Sequence, residues 1–129
     1  MPPLGIAIVG TGMIGAVHRR AALLAGATVR GVAASSPQRA QQAAQAWGVP
    51  RGYRDIEDVV SDPQVQVVHI CTPNHLHRPM AQAALEAGKH VICEKPLATT
   101  LDDARALAAL AASTGLVATV PFVYRYHPV

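Results

Sequence analysis

The chain has 129 residues, of which 50% are hydrophobic and 15% are charged, and its formal net charge is +3. This length suits one domain, the apolar half excludes a disordered chain, and no apolar run reaches the roughly 18 residues of a membrane span. The basic residues are scattered and aromatic residues are few, so nucleic acid is not an expected partner. No basic segment precedes the first apolar run, so we expect no signal peptide and a cytoplasmic protein without a membrane partner.

Strands and helices are predicted to alternate from the first apolar run onward. Strands are expected at 4–9, 28–34, 64–71, 89–93 and 116–124, where apolar and β-branched residues dominate. Helices are expected at 13–25, from 37 to about 47 after Ser36 as cap, at 55–60, from 74 or 75 to 87, and at 101–112. The apolar face predicted for the first helix consists of Ile14, Val17, Ala21 and Leu24. This alternation predicts an α/β fold, a doubly wound parallel sheet with helices on both faces.

A glycine-rich loop lies between the first predicted strand and the first predicted helix. It has the sequence G-T-G-M-I-G at residues 10–15. Gly10 permits a tight turn, Gly12 lets a pyrophosphate approach the backbone, and Gly15 lets the helix pack closely on the strand. The helix N-terminus then offers free N–H groups and a positive dipole end to phosphates. This context favours a dinucleotide-binding Rossmann domain over the alternative, a glycine-rich turn without a ligand.

The residues after the second predicted strand bear on which dinucleotide binds. An NAD-binding domain places an acidic residue there for the adenosine ribose, whereas this chain has Ser35, Ser36 and Arg39. Hydroxyls and a guanidinium suit the 2′-phosphate of NADP, because arginine can bind phosphate oxygens through two N–H groups. NADP is therefore favoured over NAD as cofactor. In the alternative interpretation, Arg39 lies on a solvated helix face.

Polar residues follow two later strands, which should end at the same edge of the sheet. Residues 72–77 follow one strand, and Glu94, Lys95 and Pro96 follow the next. Ligands of doubly wound sheets lie beyond these strand ends, where a lysine such as Lys95 can carry or release a proton. The alternative is an exposed Lys–Glu pair on a loop.

The histidines and cysteines do not form a metal-binding pattern. His75 and His77 lack the i, i+4 spacing of a helical metal pair, and neither Cys71 nor Cys93 belongs to a CxxC motif. We therefore expect no metal, and two buried thiols that stay reduced.

Together these motifs resemble the Gfo/Idh/MocA family, the relatives of glucose–fructose oxidoreductase and inositol dehydrogenase. The resemblance covers the whole chain. It is carried by G-x-G-x-x-G at 10–15, T-P-N-x-x-H at 72–77, A-G-K-H-V-x-x-E-K-P at 87–96, L-A-T-T at 97–100 and Y-R-Y-H-P at 124–128. It implies an NAD(P)-dependent oxidoreductase that transfers a hydride between the nicotinamide and a carbinol carbon of a sugar, cyclitol or related polyol.

The resemblance also implies a role for each matching residue. Glu94 and Lys95 would reach the nicotinamide ribose, and Lys95, the implied catalytic residue, would also lie near the reacting carbon. Arg125 would approach the nicotinamide end. The pyrophosphate and the adenosine ribose would be held by Gly10, Thr11, Gly12, Met13, Ile14, Ser35, Ser36 and Arg39, and the middle of the cofactor by Thr72, Pro73, Asn74 and His77.

Members of this family are usually far longer than 129 residues. In them a second domain follows the segment that matches residues 124–129, supplies most substrate contacts and usually forms the oligomer interface. Residues 1–129 would then be the NAD(P)-binding domain, ending near Phe122, with the start of a crossover segment at 123–129. A fragment, a shortened chain and a natural stand-alone domain remain open. In each case we expect the chain to bind cofactor with little or no turnover.

Two consequences and several alternatives accompany this interpretation. Apolar side chains within residues 116–126 would be exposed without a second domain, which predicts some self-association and a possible homo-oligomer. The alternatives are a non-catalytic NAD(P)-binding sensor or regulatory module, a structural domain with an empty loop, and a domain for another adenine nucleotide. A Walker-type phosphate loop is excluded because no Gly-Lys-Ser/Thr sequence follows the glycines.

Overall fold

The computed structural model describes residues 2–128, so the two ends of the predicted domain, Met1 and Val129, lie outside the described residues. The strands are β1 (Gly5–Val9), β2 (Thr28–Ala33), β3 (Arg51–Gly52), β4 (Val67–Ile70), β5 (His90–Cys93) and β6 (Ala118–Thr119). The helices are α1 (Met13–Leu24), α2 (Pro37–Trp47), α3 (Ile56–Val60), α4 (His77–Glu86) and α5 (Leu101–Thr114), with 3-10 helices at Asn74–Leu76 and Val123–Tyr126. Within residues 2–128, no helix has both the length and the apolar character needed to cross a membrane.

The strands form one sheet in the order β3-β2-β1-β4-β5-β6. Every neighbouring pair is parallel. The chain begins at the centre, builds outward to β3, crosses back to β4 and continues to β6, so the strand order reverses between β1 and β4. The predicted doubly wound parallel sheet is confirmed. All six strands end at the same edge, and ligands of such sheets bind beside the point of reversal.

The helices cover both faces of the sheet, and a separate hydrophobic cluster lies beneath the helices on each face. One cluster includes Ile8 on β1, Ala22 on α1 and Ala44 on α2. The other includes Val59 on α3 and Leu107 on α5, together with residues of α4. Because the central strands are covered on both sides, every residue of β1 and β4 is buried. This explains why β1 is a continuous apolar run, and why β4 is one except for the buried His69, instead of alternating between apolar and polar residues.

Local sequence signals set where the helices begin and end. The Ser36 hydroxyl caps α2 by accepting the Arg39 N–H at 3.2 Å, and Pro37 occupies the first helical position. Gly48 ends α2 and Gly115 ends α5 with left-handed φ values of 65° and 70°. These signals are why the predicted helices agree closely with the observed ones.

The predicted apolar face of α1 is wrong. The four residues assigned to it are exposed, namely Ile14, Val17, Ala21 and Leu24. The buried residues of α1 are Gly15, His18 and Ala22. Gly15 lies against the Gly10 carbonyl, where an added Cβ would collide, so the glycine faces the sheet. His18 and Ala22 follow at i+3 and i+7 on the same side of the helix and are buried with it.

The two edges of the sheet also differ from the prediction. The strand expected at 116–124 is reduced to the two exposed residues of β6. Because β6 is an edge strand and Pro121 cannot donate to a ladder, neither burial nor pairing extends it. Nearby apolar side chains stay exposed as expected, with Phe122 at 55% and Tyr124 at 89%. At the opposite edge, β3 was not predicted because two residues are too few to give a recognisable pattern.

Candidate functional site

A cleft of about 780 Å³ lies across the carboxyl ends of β1, β2 and β4. It occupies the place where the strand order reverses, and its volume is in the range of cofactor sites. Its walls come from the glycine loop, the end of β2, the loop before α3 and the end of β4. The residues that line it are Val9, Gly10, Thr11, Gly12, Ala33, Ala34, Ser35, Arg39, Arg54, Asp55, Ile56, Cys71, Thr72, Pro73, Leu76 and Met80.

Each of the three glycines of the loop has a distinct environment. Gly10 has φ 107°, a conformation that suits glycine, and an added Cβ there would strike the Cys71 carbonyl. Gly15 touches the Gly10 carbonyl, as described above. Around Gly12, by contrast, an added Cβ would meet no atom within 4 Å. The fold itself therefore does not require a glycine at position 12, whereas a ligand lying against this backbone would.

The N-terminus of α1 opens beside Gly12 and has the chemistry of an anion site. Gly12 is the N-cap residue, so no side chain accepts from the first N–H groups, and the first turn contains no acidic residue. Thr72, across the cleft, has a buried hydroxyl oxygen that finds no hydrogen-bond partner among residues 2–128. Free N–H donors and a positive helix dipole suit a pyrophosphate, so these residues fit a dinucleotide cofactor.

The other end of the cleft holds two arginines. Arg39 donates from Nη1 to the Ser35 hydroxyl at 3.3 Å, and both residues line the cleft. Ser36, predicted to face the ribose, instead caps α2 and is not part of the lining. Arg54 and Asp55 line the same end and were not predicted as site residues. They lie just after the short β3, and no sequence pattern indicated that they approach the glycine loop.

The tip of β5 divides the predicted Glu-Lys pair between the interior and the surface. Glu94 is 8% exposed. One of its carboxylate oxygens contacts His18, and the other accepts the Lys95 main-chain N–H at 3.1 Å. Lys95 is exposed at the strand tip, and Arg125 is exposed in the 3-10 helix Val123–Tyr126. Neither side chain lines the cleft in this chain.

His77 is buried behind the strand ends and does not line the cleft. It is 1% exposed, and its ring nitrogens face the Pro96 carbonyl at 2.6 Å and the Thr72 carbonyl at 3.0 Å. Both nitrogens are therefore occupied by main-chain oxygens, and the ring links the loop after β4 to the loop after β5. This contact orients the Thr72 segment but leaves no ring nitrogen free for a ligand.

A buried polar chain behind the cleft was not predicted. His18 Nε2 lies 2.8 Å from a Glu94 carboxylate oxygen, and His18 Nδ1 lies 3.0 Å from His69 Nδ1. Burial is the main cause that lowers the pKa of His69 to about 4, and a positive charge on His18 would act in the same direction. The only sequence signal was a histidine three residues after Gly15, which the predicted helix face placed on the outside.

The same burial governs the two cysteines. Cys71 and Cys93 are free and buried. Burial, with the nearby Glu94 carboxylate, raises the pKa of each thiol to about 12. They are therefore neutral thiols at physiological pH, with little of the thiolate that reacts. Within residues 2–128, no group of three or more His, Cys, Asp or Glu side chains is arranged to hold a metal ion.

The predicted site residues thus fall into two groups. Those that line the cleft are Gly10, Thr11, Gly12, Ser35, Arg39, Thr72 and Pro73. Those outside its lining are Met13, Ile14, Ser36, Asn74, His77, Glu94, Lys95 and Arg125. A second cavity of about 180 Å³ lies between α4, α5, β5 and β6, and its mostly aliphatic lining includes no charged side chain.

Comparison with known proteins places this geometry in context. A family model described as "Oxidoreductase family, NAD-binding Rossmann fold" matches residues 4–122. Levoglucosan dehydrogenase of Pseudarthrobacter phenanthrenivorans is 42% identical over 97 residues, covering 75% of this chain and 25% of that protein. D-xylose 1-dehydrogenase (NADP(+)) 2 of Haloferax volcanii is 34% identical over 97 residues, covering 75% of this chain and 30% of that protein.

A solved structure agrees with the fold. Levoglucosan dehydrogenase in complex with NADH and levoglucosan has a TM-score of 0.87 and 37% identity, over 96% of this chain and 36% of that chain. Across these three proteins the match spans 25% to 36% of their length. The similarity therefore concerns one domain of each relative.

Proposed function

The chain belongs to the Gfo/Idh/MocA oxidoreductase family, and from that premise we propose that it binds NAD(P) for a dehydrogenase of sugars, cyclitols or polyols. The observation that carries the proposal is Gly12, a cap residue with open space around it at the N-terminus of α1, inside the cleft. A pyrophosphate can approach the first-turn N–H groups there only because no Cβ intervenes.

In this proposal the cofactor extends from β2, past the point between β1 and β4 where the strand order reverses, to β5. Thr11 and Gly12, followed by Met13 and Ile14, donate main-chain N–H groups to the pyrophosphate. Gly10, whose own N–H donates to the Ala33 carbonyl, forms the turn that places them. Thr72, Pro73 and Asn74 border the middle of the cofactor, and His77 supports them from behind through its contact with the Thr72 carbonyl. The bound nicotinamide supplies hydride transfer.

Lys95 is the proposed catalytic residue of the complete site. It is exposed beyond the tip of β5, next to a carboxylate that fixes its main-chain N–H. A lysine there can hold or release the proton of the carbinol oxygen as the hydride moves. Glu94 is proposed to support Lys95 and the nicotinamide ribose, and Arg125 to approach the nicotinamide end.

The preferred cofactor is proposed to be NADP. Ser35 and Arg39 form one hydrogen-bonded pair at the adenosine end, where an acidic residue would repel a 2′-phosphate. Arg54 adds a second guanidinium to the same wall, although it lies beside Asp55 and is paired with Asp58 at 3.3 Å. Ser36 contributes by capping α2 and so fixing the first turn that carries Arg39.

The substrate and the partners belong to the same proposal. The related dehydrogenases act on levoglucosan and D-xylose, as their names state, so we propose a sugar or polyol for this protein. Residues 1–129 would form the cofactor domain, with residues 123–129 starting the crossover to a substrate domain. The apolar side chains exposed after β6 would meet that domain or a second subunit. Buried, neutral thiols suit a reducing cytoplasm.

Calorimetric titration of the chain with NADPH and with NADH tests this proposal. We expect saturable binding of both at one site, with NADPH tighter. Arg39→Ala should remove the preference while leaving NADH binding within about twofold, because the 2′-phosphate is the only group the two cofactors do not share. Arg105→Ala, outside the cleft lining, is the matched control. Failure to bind either dinucleotide would refute the proposal, whereas tighter NADH binding would refute only the NADP preference.

A further inference from the structure

A buried polar chain formed by Glu94, His18 and His69 runs into the core from the β5 tip, where Glu94 also accepts the main-chain N–H of the exposed Lys95. His18, His69 and Glu94 are all buried, with 7%, 5% and 8% of each residue's surface exposed. Their contacts join three elements, because His18 lies on α1, His69 on β4 and Glu94 after β5. Buried polar groups of this kind are costly unless their hydrogen bonds are made, so the arrangement of protons within the chain is constrained.

The protonation of His69, the innermost residue of the chain, constrains where the other protons lie. The pKa of His69 is lowered to about 4, so its ring is neutral and carries one N–H. His69 Nε2 has no partner, and only Nδ1 faces His18. If neutral His18 donates from Nε2 to the Glu94 carboxylate, its Nδ1 accepts the His69 N–H. Every contact in the chain is then made, and only the lone pair of His69 Nε2 is left over.

The chain has no exit to solvent at its inner end. His69 Nε2 is itself buried. The contacts that the chain makes are those that hold the Glu94 carboxylate, which indicates an orienting role. Glu94 is held at both oxygens, by His18 on one side and by the Lys95 main-chain N–H on the other.

We propose that His18 is a positioning residue for Lys95. By donating to Glu94 it fixes the carboxylate that holds the Lys95 main chain, and so sets the direction in which the lysine leaves the β5 tip. His18 lies on the helix whose N-terminus is the proposed pyrophosphate site, one turn beyond Gly15. The contact therefore couples the pyrophosphate end of the cofactor to the lysine at its nicotinamide end. This inference rests on the proposed cofactor function.

The test compares two ligands on the same chain. NADH and ADP share the adenosine and diphosphate, but only NADH carries the second ribose and the nicotinamide. If His18 acts through Lys95, His18→Leu should lower NADH affinity about tenfold, the order expected for loss of a charge-assisted contact, and leave ADP affinity within about twofold. Lys95→Ala should do the same. Arg20→Leu, at an exposed position two residues further along α1 and outside the cleft lining, is the matched control.

A double-mutant cycle separates positioning from a general structural effect. If His18 acts through Lys95, the double variant should lose no more NADH affinity than Lys95→Ala alone. Should His18→Leu fail to fold by circular dichroism, His18→Met, whose flexible side chain has no N–H donor, replaces it. That variant cannot donate to Glu94 and should give the same ligand-specific loss.

Different outcomes would overturn the positioning role of His18 and the proposed function. Additive losses in the double variant, or equal losses for NADH and ADP, would overturn the positioning role and leave the proposed function standing. A wild-type chain that binds NADH no more tightly than ADP would also overturn it, because no nicotinamide-end contact would exist to be positioned. A wild-type chain that binds neither ligand would refute the proposed function, and the inference with it.

Discussion

Gly12→Ala separates the demands of the cofactor from the demands of the fold. The backbone at Gly12 has φ −78° and ψ −163°, which alanine adopts without strain, and an added Cβ meets no atom within 4 Å. The unfolded chain loses some freedom, which stabilises the variant by about 0.4–1 kcal/mol. Alanine is also a poorer N-cap than glycine by a similar amount. The two effects oppose each other, so we expect a net change in the free energy of unfolding of less than about 0.5 kcal/mol.

Binding should respond quite differently. The new methyl group would stand where the pyrophosphate lies against the α1 N-terminus, and it would separate the phosphate oxygens from the first-turn N–H groups. Each hydrogen bond to a charged group contributes about 1.5–3 kcal/mol, so even one lost bond weakens binding by about tenfold or more. Losing two predicts a decrease in dinucleotide affinity of about a hundredfold or more.

The assay pairs chemical denaturation with calorimetric titration of the same sample. We expect an unchanged denaturation midpoint, lost NADPH binding and unaltered weak binding of adenosine, which has no phosphate to displace. A folded Gly12→Ala variant that binds NADPH as tightly as the wild type would refute the assignment of the pyrophosphate to this loop.

Three further predictions concern stability. Gly15→Ala should lower the free energy of unfolding by about 2 kcal/mol or more in urea denaturation, because its Cβ would collide with the Gly10 carbonyl; an undiminished midpoint would contradict the close packing. Tyr53→Phe should cost about 2 kcal/mol, since it removes a buried 2.7 Å bond to the Asp62 carboxylate; no loss by the same method would mean that bond is replaced. The pKa of His69 is about 4 when folded against 6.5 when unfolded, so its contribution is complete above about pH 6.5 and is lost as pH falls toward 4, by about 3 kcal/mol. His69→Val should flatten that part of the stability curve, and an equal slope in both proteins would exclude His69 as its source.

Much of the fold followed from the sequence because its signals were local. Apolar runs predicted the buried strands, and caps such as Ser36 and Gly115 predicted where helices begin and end. The glycine loop was interpretable because its G-x-G-x-x-G spacing lies within one short stretch between a strand and the next helix. Where burial depends on distant packing, the prediction failed. The exposed face of α1 is as apolar as a core face, and only the contact of Gly15 with the Gly10 carbonyl decides which side turns inward.

The candidate site shows the same contrast between residues with a local sequence signal and residues placed by distant contacts. Residues next to the glycine loop or a strand end, such as Thr11 and Thr72, were predicted and line the cleft. Arg54 was missed because β3, which brings it there, is too short to recognise. Ser36 and His77 were chosen by position, yet their polar atoms are taken up by a helix cap and by two carbonyls. Sequence patterns can predict which residues lie near a site, but the hydrogen bonds of the folded chain determine which of their polar atoms face it.

The proposed dinucleotide lies at the point where the strand order reverses, with its pyrophosphate on the α1 N-terminus. NADPH can be titrated into the isotope-labelled chain while each main-chain amide is followed by NMR. We predict saturable chemical-shift changes that are largest at Thr11, Gly12 and Met13, with smaller ones at Arg39 and Thr72 and none around the cavity beside α5. Changes centred on that cavity, or a spectrum unchanged at saturating NADPH, would rule out a dinucleotide in this cleft.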